Sequence, residues 1–278
     1  MAKYIIHKAV EFSKLSKKMQ SSINLDECDW QPKFDGCNMV ATVSSDGVSL
    51  RSRTNHVVKS ANHIAQELKA LPLGVYLGEF ILPGKPFPES SGAFRNENQC
   101  PEAMFIIFDH LSNTEWGASA PDLVPVWGVR RERLKLLYRQ KHTLICPTGT
   151  KREMLKYIHD NPQFHYDGLI ARRRDGGYQV GAGTGGEIIK VKNLTSLDLR
   201  LVGYNASIGD KTGREVYTMR CAYNGVEVLV GSGVPHKQED LPLPGSIVEI
   251  EALGFTPGGA LREPRFNGVR HDKLLPDC

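Results

Sequence analysis

Nowhere in these 278 residues does an apolar run approach the length that crosses a bilayer. The amino-terminal stretch MAKYIIHKAVEF has neither the apolar core nor the cleavage site of a secretory signal, so a cytoplasmic protein without a membrane partner is expected. Six cysteines, at 28, 37, 100, 146, 221 and 278, form no C-x-x-C pair and no zinc-ligand spacing with histidine. That argues against structural zinc and for free thiols in a reducing compartment. A P-loop G-x-x-x-x-G-K-[ST] is missing, so any nucleotide is held by other means. GAGTGG at 181–186 satisfies G-x-G-x-x-G on paper, but it leads into the strand-like EIIKVK rather than a helix. It reads as a hairpin loop and not as a dinucleotide site. Internal repeats, low-complexity segments and long linkers are absent too, and the net charge of +4 is only mildly suited to a polyanionic partner.

What is present divides into two parts. Up to about Asp198, helical and strand patterns mix. HKAVEFSKLSKKMQ (7–20) reads as a basic amphipathic helix, and NMVATVSSDGVSLRSR as a hairpin turning at Ser45-Asp46-Gly47. SANHIAQELKAL and WGVRRERLKLLYRQ read as helices, and so does TKREMLKYIHD, whose Thr150 and Glu153 are spaced as a capping box. VYLGEFIL, AMFIIFDHL, DGLIARR and GEIIKVK read as strands. From 199 onward the helical period is lost, and five short strands separated by Gly, Pro, Asn and Asp suggest a small barrel. The expected division is 1–198 and 199–278.

The chemistry centres on QPKFDGCNMVATV (31–43), where Lys33 stands between apolar neighbours. An amine attacks only when neutral, which requires desolvation or neighbouring cations. Lys190 and Lys192 alternate with Ile189 and Val191 and would share one strand face, although an edge strand guarded by lysines reads the same way. Glu79 lies inside an apolar strand, where an unpaired carboxylate is costly, and Asp167 precedes another such strand.

Taken in order, Lys-x-Asp-Gly at 33–36, Ser52-Arg53, Gly78-Glu79, Phe108-Asp109, Asp167-Gly-Leu-Ile, Lys190-x-Lys192 and the terminal Arg270-x-Asp272-Lys273 resemble the motifs of ATP-dependent DNA ligases. These belong to the covalent nucleotidyltransferases. The resemblance runs from about residue 31 to 273. It implies an α+β fold: an adenylation domain of antiparallel sheets with flanking helices, followed by an all-β OB-fold barrel. It also implies that the chain, a monomer, seals nicks in duplex DNA with ATP and Mg²⁺, in replication, repair or recombination. Lys33 would attack the α-phosphate and carry AMP, flanked by Lys190 and Lys192. Glu79 would bond the ribose, Phe108 stack on adenine with Phe105 as rival, and Arg53 bind the 5′-phosphate of the nick. Gln31, Asp35 and Asn38 fall among the nucleotide-binding positions. Asp167, with Glu79, would place the metal, and Arg270 and Lys273 would orient the leaving pyrophosphate.

Three positions depart from the family pattern. Asn38 stands where arginine is usual, Asp167 where glutamate is, and Gly268 where a basic residue is common. With no room expected for a separate DNA-binding domain, duplex contact would come from basic faces such as Arg130, Arg131 and Arg133 and the run Arg172 to Arg174. An RNA or other polynucleotide ligase of the same superfamily, or a catalytically silent nicked-DNA-binding module, are the alternatives.

Overall fold

The computed structural model describes residues 6–116, 124–183, 185–192, 195–209, 213–252, 260–261 and 263–277. It divides into two compact units, Met1–Val191 and Lys192–Cys278. Among the described residues no helix is long and apolar enough to cross a membrane.

The first unit is built on two larger sheets, with a two-stranded one of His7–Lys8 and Gly181–Ala182 beside them. One has five strands in the order Gly47–Ser52, Cys37–Ser44, Gly74–Ile81, Met104–Leu111, Thr143–Ile145. Its first four strands pair antiparallel and its last pair is parallel. Period-2 alternation gives this sheet two apolar faces. On one, Met39, Ala41, Val43, Tyr76, Phe80 and Phe105 pack against Ile64, Leu68, Phe94, Trp127 and Leu134. The last five come from the helices Asn62–Leu68, Phe87–Arg95 and Trp127–Lys135. The helix Phe87–Arg95 has no strong apolar period and escaped the sequence reading.

The other face looks toward the second sheet, ordered Val10–Glu11, Ile188–Lys192, Tyr166–Arg172, Asp29–Phe34. Phe34 and Tyr166 from this sheet meet Ile81, Ile106, Met104 and Phe108 of the first. Its outer face packs Trp30, Leu169, Ala171 and Ile189 on Met154 of the helix Lys151–Asp160. Thr150 and Glu153 close the expected capping box at the start of that helix, with both reciprocal bonds present.

The amino-terminal helix expected over 7–20 is largely not there. His7–Lys8 and Val10–Glu11 are short strands, and only Lys17–Ser22 is α-helical. Ile6 and Val10 are drawn into different apolar clusters, which an extended chain allows and a helix does not. Parallel pairing of His7 with Gly181 and Val10 with Ile189 outweighs the local helical pattern. Gly181–Ala182 of GAGTGG thus pair with His7–Lys8 in a two-stranded sheet, and among the described residues the next element is the strand Ile188–Lys192.

The second unit is one antiparallel sheet in the order Val226–Val230, Glu215–Tyr223, Thr195–Ile208, Ile247–Ala252, Arg265–Val269. Leu199, Leu201, Met219, Cys221, Val230, Val248 and Ile250 form its core. The two ends of the sheet are joined by a single parallel bridge, Ser232 to Arg265. No ladder closes it into a full barrel among the described residues. Asp198 lies within the first strand of this unit.

Candidate active site

Asp29, Gln31 and Lys33 alternate along one strand, so all three project from the same face, toward the five-stranded sheet. Each meets a different partner. The Lys33 Nζ donates to both oxygens of Asp167, at 2.7 Å each. The geometry depends on a β-bulge: Lys33 is opposite Gly168 and Phe34 opposite Tyr166, which leaves Asp167 as the extra residue. A bulge re-aims the side chain it carries, and here it turns the Asp167 carboxylate onto the amine. Gly168, at φ 138°, takes a backbone conformation that a side chain would oppose.

The other Asp-Gly pair has a different cause. A Cβ on Gly36 would lie 2.3 Å from the Phe80 carbonyl oxygen and 2.9 Å from Glu79 Cγ. Glycine therefore lets the chain after Lys33 pass directly against the strand that carries Glu79. The Asp35 N–H donates to the His165 carbonyl, which ties that passage down. Asn38 then falls directly opposite Glu79.

Although part of Glu79 reaches solvent, burial pushes its carboxyl up from the usual 4.5 to about 8. Lys33 and Arg53 pull it down, while Asp167 and Asp35 add to the rise. Between these values the folded protein holds a proton that the unfolded chain has released, so stability falls as pH rises from about 4.5 to about 8. The neutral Glu79→Gln variant should flatten that fall by on the order of a few kcal/mol, read from melting temperature against pH in metal-free buffer. A variant curve parallel to the parent's would mean Glu79 ionises normally.

Phe108 and Phe105 have different environments. Phe105 is fully buried in the helix-side core, whereas Phe108 is only partly buried and packs with Phe34 and Tyr166 of Lys33's sheet. Phe108 is also the extra residue of a bulge, since Leu77 pairs with Asp109 and Gly78 with Ile107. The Arg172 guanidinium lies 5.5 Å from its ring centroid.

Of the arginines read as DNA-facing in the sequence, Arg130 and Arg172 are buried. Asp109, 1 % exposed, accepts from Arg130 Nε at 2.9 Å and Arg172 Nη1 at 3.0 Å. Burial pushes the Asp109 carboxyl up, but the two guanidiniums more than reverse this and hold it below the usual range. Arg172 Nε also donates to Gln31 Oε1 at 2.8 Å, and Gln31 Nε2 donates to Thr148 Oγ1, so both ends of buried Gln31 are engaged by the protein. Arg131 and Arg174 pair with buried Asp29, Arg133 with Glu115, and Arg173 with Asp175. A count of positive residues cannot show this, because each partner is distant in sequence or looks like a separate surface charge. The Phe108-Asp109 pair is the sequence signal for it: an acidic residue inside an apolar strand.

The remaining expected residues are placed as follows. Arg53 is exposed in the turn after Gly47–Ser52. Lys190 Nζ pairs with Glu11 Oε1 at 3.2 Å, while the side chain of Lys192 lies outside the described residues. The charged group that the amine of Lys33 contacts directly is the Asp167 carboxylate. In the second unit Arg270 and Lys273 both pair with buried Asp198, and Arg270 also forks onto Asp272.

No protein-family model and no curated protein matches the sequence. Solved structures do match over nearly the whole chain. One is from a study of DNA binding with a minimal scaffold by Lig E DNA ligases; it is 19 % identical at a TM-score of 0.68, covering 95 % of this chain and 99 % of that one. Another, Pmar-Lig_PreS3, is 19 % identical at 0.72, covering 96 % of this chain and 68 % of that one. The ATP-dependent DNA ligase of bacteriophage T7, in complex with ATP, is 16 % identical at 0.54, covering 96 % and 99 %. The chain has the α+β fold of the ATP-dependent DNA ligases, the minimal type included.

Proposed function

We propose that the protein is an ATP-dependent DNA ligase that seals nicks through a lysyl-AMP intermediate on Lys33. The observation that carries this reading is the Lys33 amine gripped by Asp167 and within electrostatic reach of Glu79. A ligase fold over nearly the whole chain supports it.

In this reading Lys33 Nζ, after giving up a proton, attacks the α-phosphorus of ATP. An N–P bond forms, the bond to the bridging oxygen breaks, and pyrophosphate leaves. A 5′-phosphate oxygen at the nick then attacks the same phosphorus and expels the lysine amine. Finally the 3′-hydroxyl oxygen attacks the 5′-phosphorus, losing its proton, and AMP departs. Phe108 offers a ring face to adenine, and its contact with Arg172 keeps that ring in place. Lys190 and Arg270 must each exchange a protein carboxylate for phosphate to act on the nucleotide.

Among the described residues no group of three or more His, Cys, Asp or Glu is placed to hold a metal. Two oxygen-donor carboxylates, Glu79 and Asp167, nevertheless lie within electrostatic reach of one another beside Lys33. That fits Mg²⁺, which is commonly held by one or two carboxylates and completes its shell with water and phosphate oxygens. Bound there, it would neutralise phosphate charge. Engagement of Asp167 by a cation would also release Lys33 from its ion pair.

The test is sealing of a nicked duplex bearing a 5′-phosphate, followed by gel electrophoresis. ATP-dependent joining is expected with the phosphate and none with a 5′-hydroxyl; joining without ATP, or no joining, would refute the reading. Affinity for the nick should also fall by about 10²-fold between roughly 50 and 200 mM salt, because a handful of phosphate contacts release counterions. A flat salt dependence in a binding titration would argue against a DNA substrate.

A further inference from the structure

Two histidines outside the candidate active site each present an unused ring nitrogen. His63 stands in the helix Asn62–Leu68, and His142 immediately precedes the strand Thr143–Ile145. His63 Nε2 lies 2.9 Å from the Ala103 carbonyl oxygen, and His142 Nδ1 lies 2.8 Å from Glu67 Oε1. A carbonyl oxygen can only accept, so the hydrogen of the first bond belongs to His63 Nε2. Both oxygens of Glu67 accept from the His142 backbone N–H, and Glu67 is the acceptor toward the ring as well. In the neutral rings this leaves a lone pair on His63 Nδ1 and another on His142 Nε2. Among the described residues no hydrogen bond engages either one.

The rings are neighbours, with centroids 4.8 Å apart and planes at 85°. Zinc binds an imidazole nitrogen at about 2.1 Å, which puts the ring centre roughly 3.2 Å from the ion; two such ligands at about 90–110° then have centres about 4.5–5.2 Å apart. The observed separation falls inside that range. Metal-bound histidines characteristically donate their other N–H to a carboxylate or a backbone carbonyl, and here one histidine does each. The pair is also anchored. Gln140 Nε2 donates to the Glu67 carbonyl at 2.8 Å, and the Phe105 N–H donates to the His142 carbonyl at 2.8 Å. Both histidines are partly exposed, so an ion can enter. They are far apart in the chain, which is why no ligand spacing announces them.

We propose that His63 Nδ1 and His142 Nε2 form a two-histidine site for a borderline transition-metal ion of the Zn²⁺ class. Imidazole suits Zn²⁺, Cu²⁺ and Ni²⁺ rather than Mg²⁺, so the site is chemically separate from the carboxylates near Lys33. Among the described residues no third ligand joins the pair, so water completes the shell and the ion exchanges. Bound there, it clips the helix Asn62–Leu68 to the chain entering the strand Thr143–Ile145. The site does not depend on the ligase reading, and its test needs no nucleotide.

Zn²⁺ is titrated into the metal-free protein against a chromophoric chelator, slightly above neutral pH. The parent should take up one Zn²⁺ with a Kd on the order of micromolar. His63→Gln and His142→Gln should each weaken binding by about 100-fold or more, since losing a ligand costs at least as much as losing its support. Glu67→Gln keeps an acceptor for the ring N–H but not the charge, and should cost about 10-fold although Glu67 never touches the ion. A merely structural histidine pair produces no such ordering. Melting without metal checks that each variant folds. A second measurement needs no variant: with one equivalent of Cu²⁺, the electron paramagnetic resonance spectrum of the parent should show coupling to two imidazole nitrogens. Zn²⁺ held equally by the parent and the histidine variants, no uptake by the parent, or Cu²⁺ coupled to fewer than two imidazoles would overturn the proposal.

Discussion

Lys33→Arg should abolish attachment of AMP, a loss of about 10⁴-fold or more, in a protein that remains folded. Removing a covalent nucleophile leaves only the contribution of binding. Arginine is the instructive choice because of what Lys33 touches. The Asp167 side chain is only 10 % exposed, and truncation of Lys33 to alanine would leave its carboxylate without the amine it now holds. Loss of activity in the alanine variant would then mix chemistry with disruption of the site. A guanidinium keeps the positive charge and can fork onto the same carboxylate, but it does not give up its proton near neutral pH. The expected combination is unchanged melting within a few degrees and no AMP transfer from α-labelled ATP. Label retained by the arginine variant would mean that another residue is the nucleophile.

Asp109→Asn should cost about 3–5 kcal/mol of stability, the usual loss when one partner of a buried charged group is removed. Asp109 is the shared anion for Arg130 and Arg172, whose side chains are 1 % and 4 % exposed. Asparagine preserves the shape but leaves two buried guanidiniums without compensating charge. For a protein of this size the corresponding drop in melting temperature is about 5–10 °C. The effect should also reach the site, because Arg172 anchors Gln31 and lies against Phe108. Nucleotide binding should therefore weaken beyond what partial unfolding explains, measured well below the melting temperature. A shift in stability under about 1 kcal/mol would show that the cluster is hydrated rather than dry.

These two residues also mark what the sequence could and could not convey. Lys33, Glu79 and Asp167 are legible because charged side chains stand within or just before apolar, strand-like runs, and strands do lie there. The hairpin at Asp46-Gly47 and the capping box at Thr150 were equally local and equally legible. What brings Asp167 and Phe108 into place was not, because each is the unpaired residue of a bulge. A bulge is a matter of register between strands far apart in sequence. The same limit explains the arginines. Arg130 and Arg172 read as a basic surface because the chain does not reveal that Asp109 will lie between them. It also explains the amino terminus, where 3.6-residue spacing was real but the parallel partners at Gly181 and Ile189 prevailed. Gly36 belongs to an intermediate case. The Asp-Gly pair was conspicuous, yet its reason, the close pass against Phe80, exists only in three dimensions.

Tandem mass spectrometry of the protein after incubation with ATP and Mg²⁺ tests the central claim most directly. Digestion must be kept neutral to alkaline, since a phosphoramidate bond is acid-labile. One AMP is expected, carried on the peptide containing Lys33 and lost when pyrophosphate is added in excess, because the first step then runs backward. AMP on any other residue, or a protein that stays unmodified under conditions where ATP is bound, would contradict it.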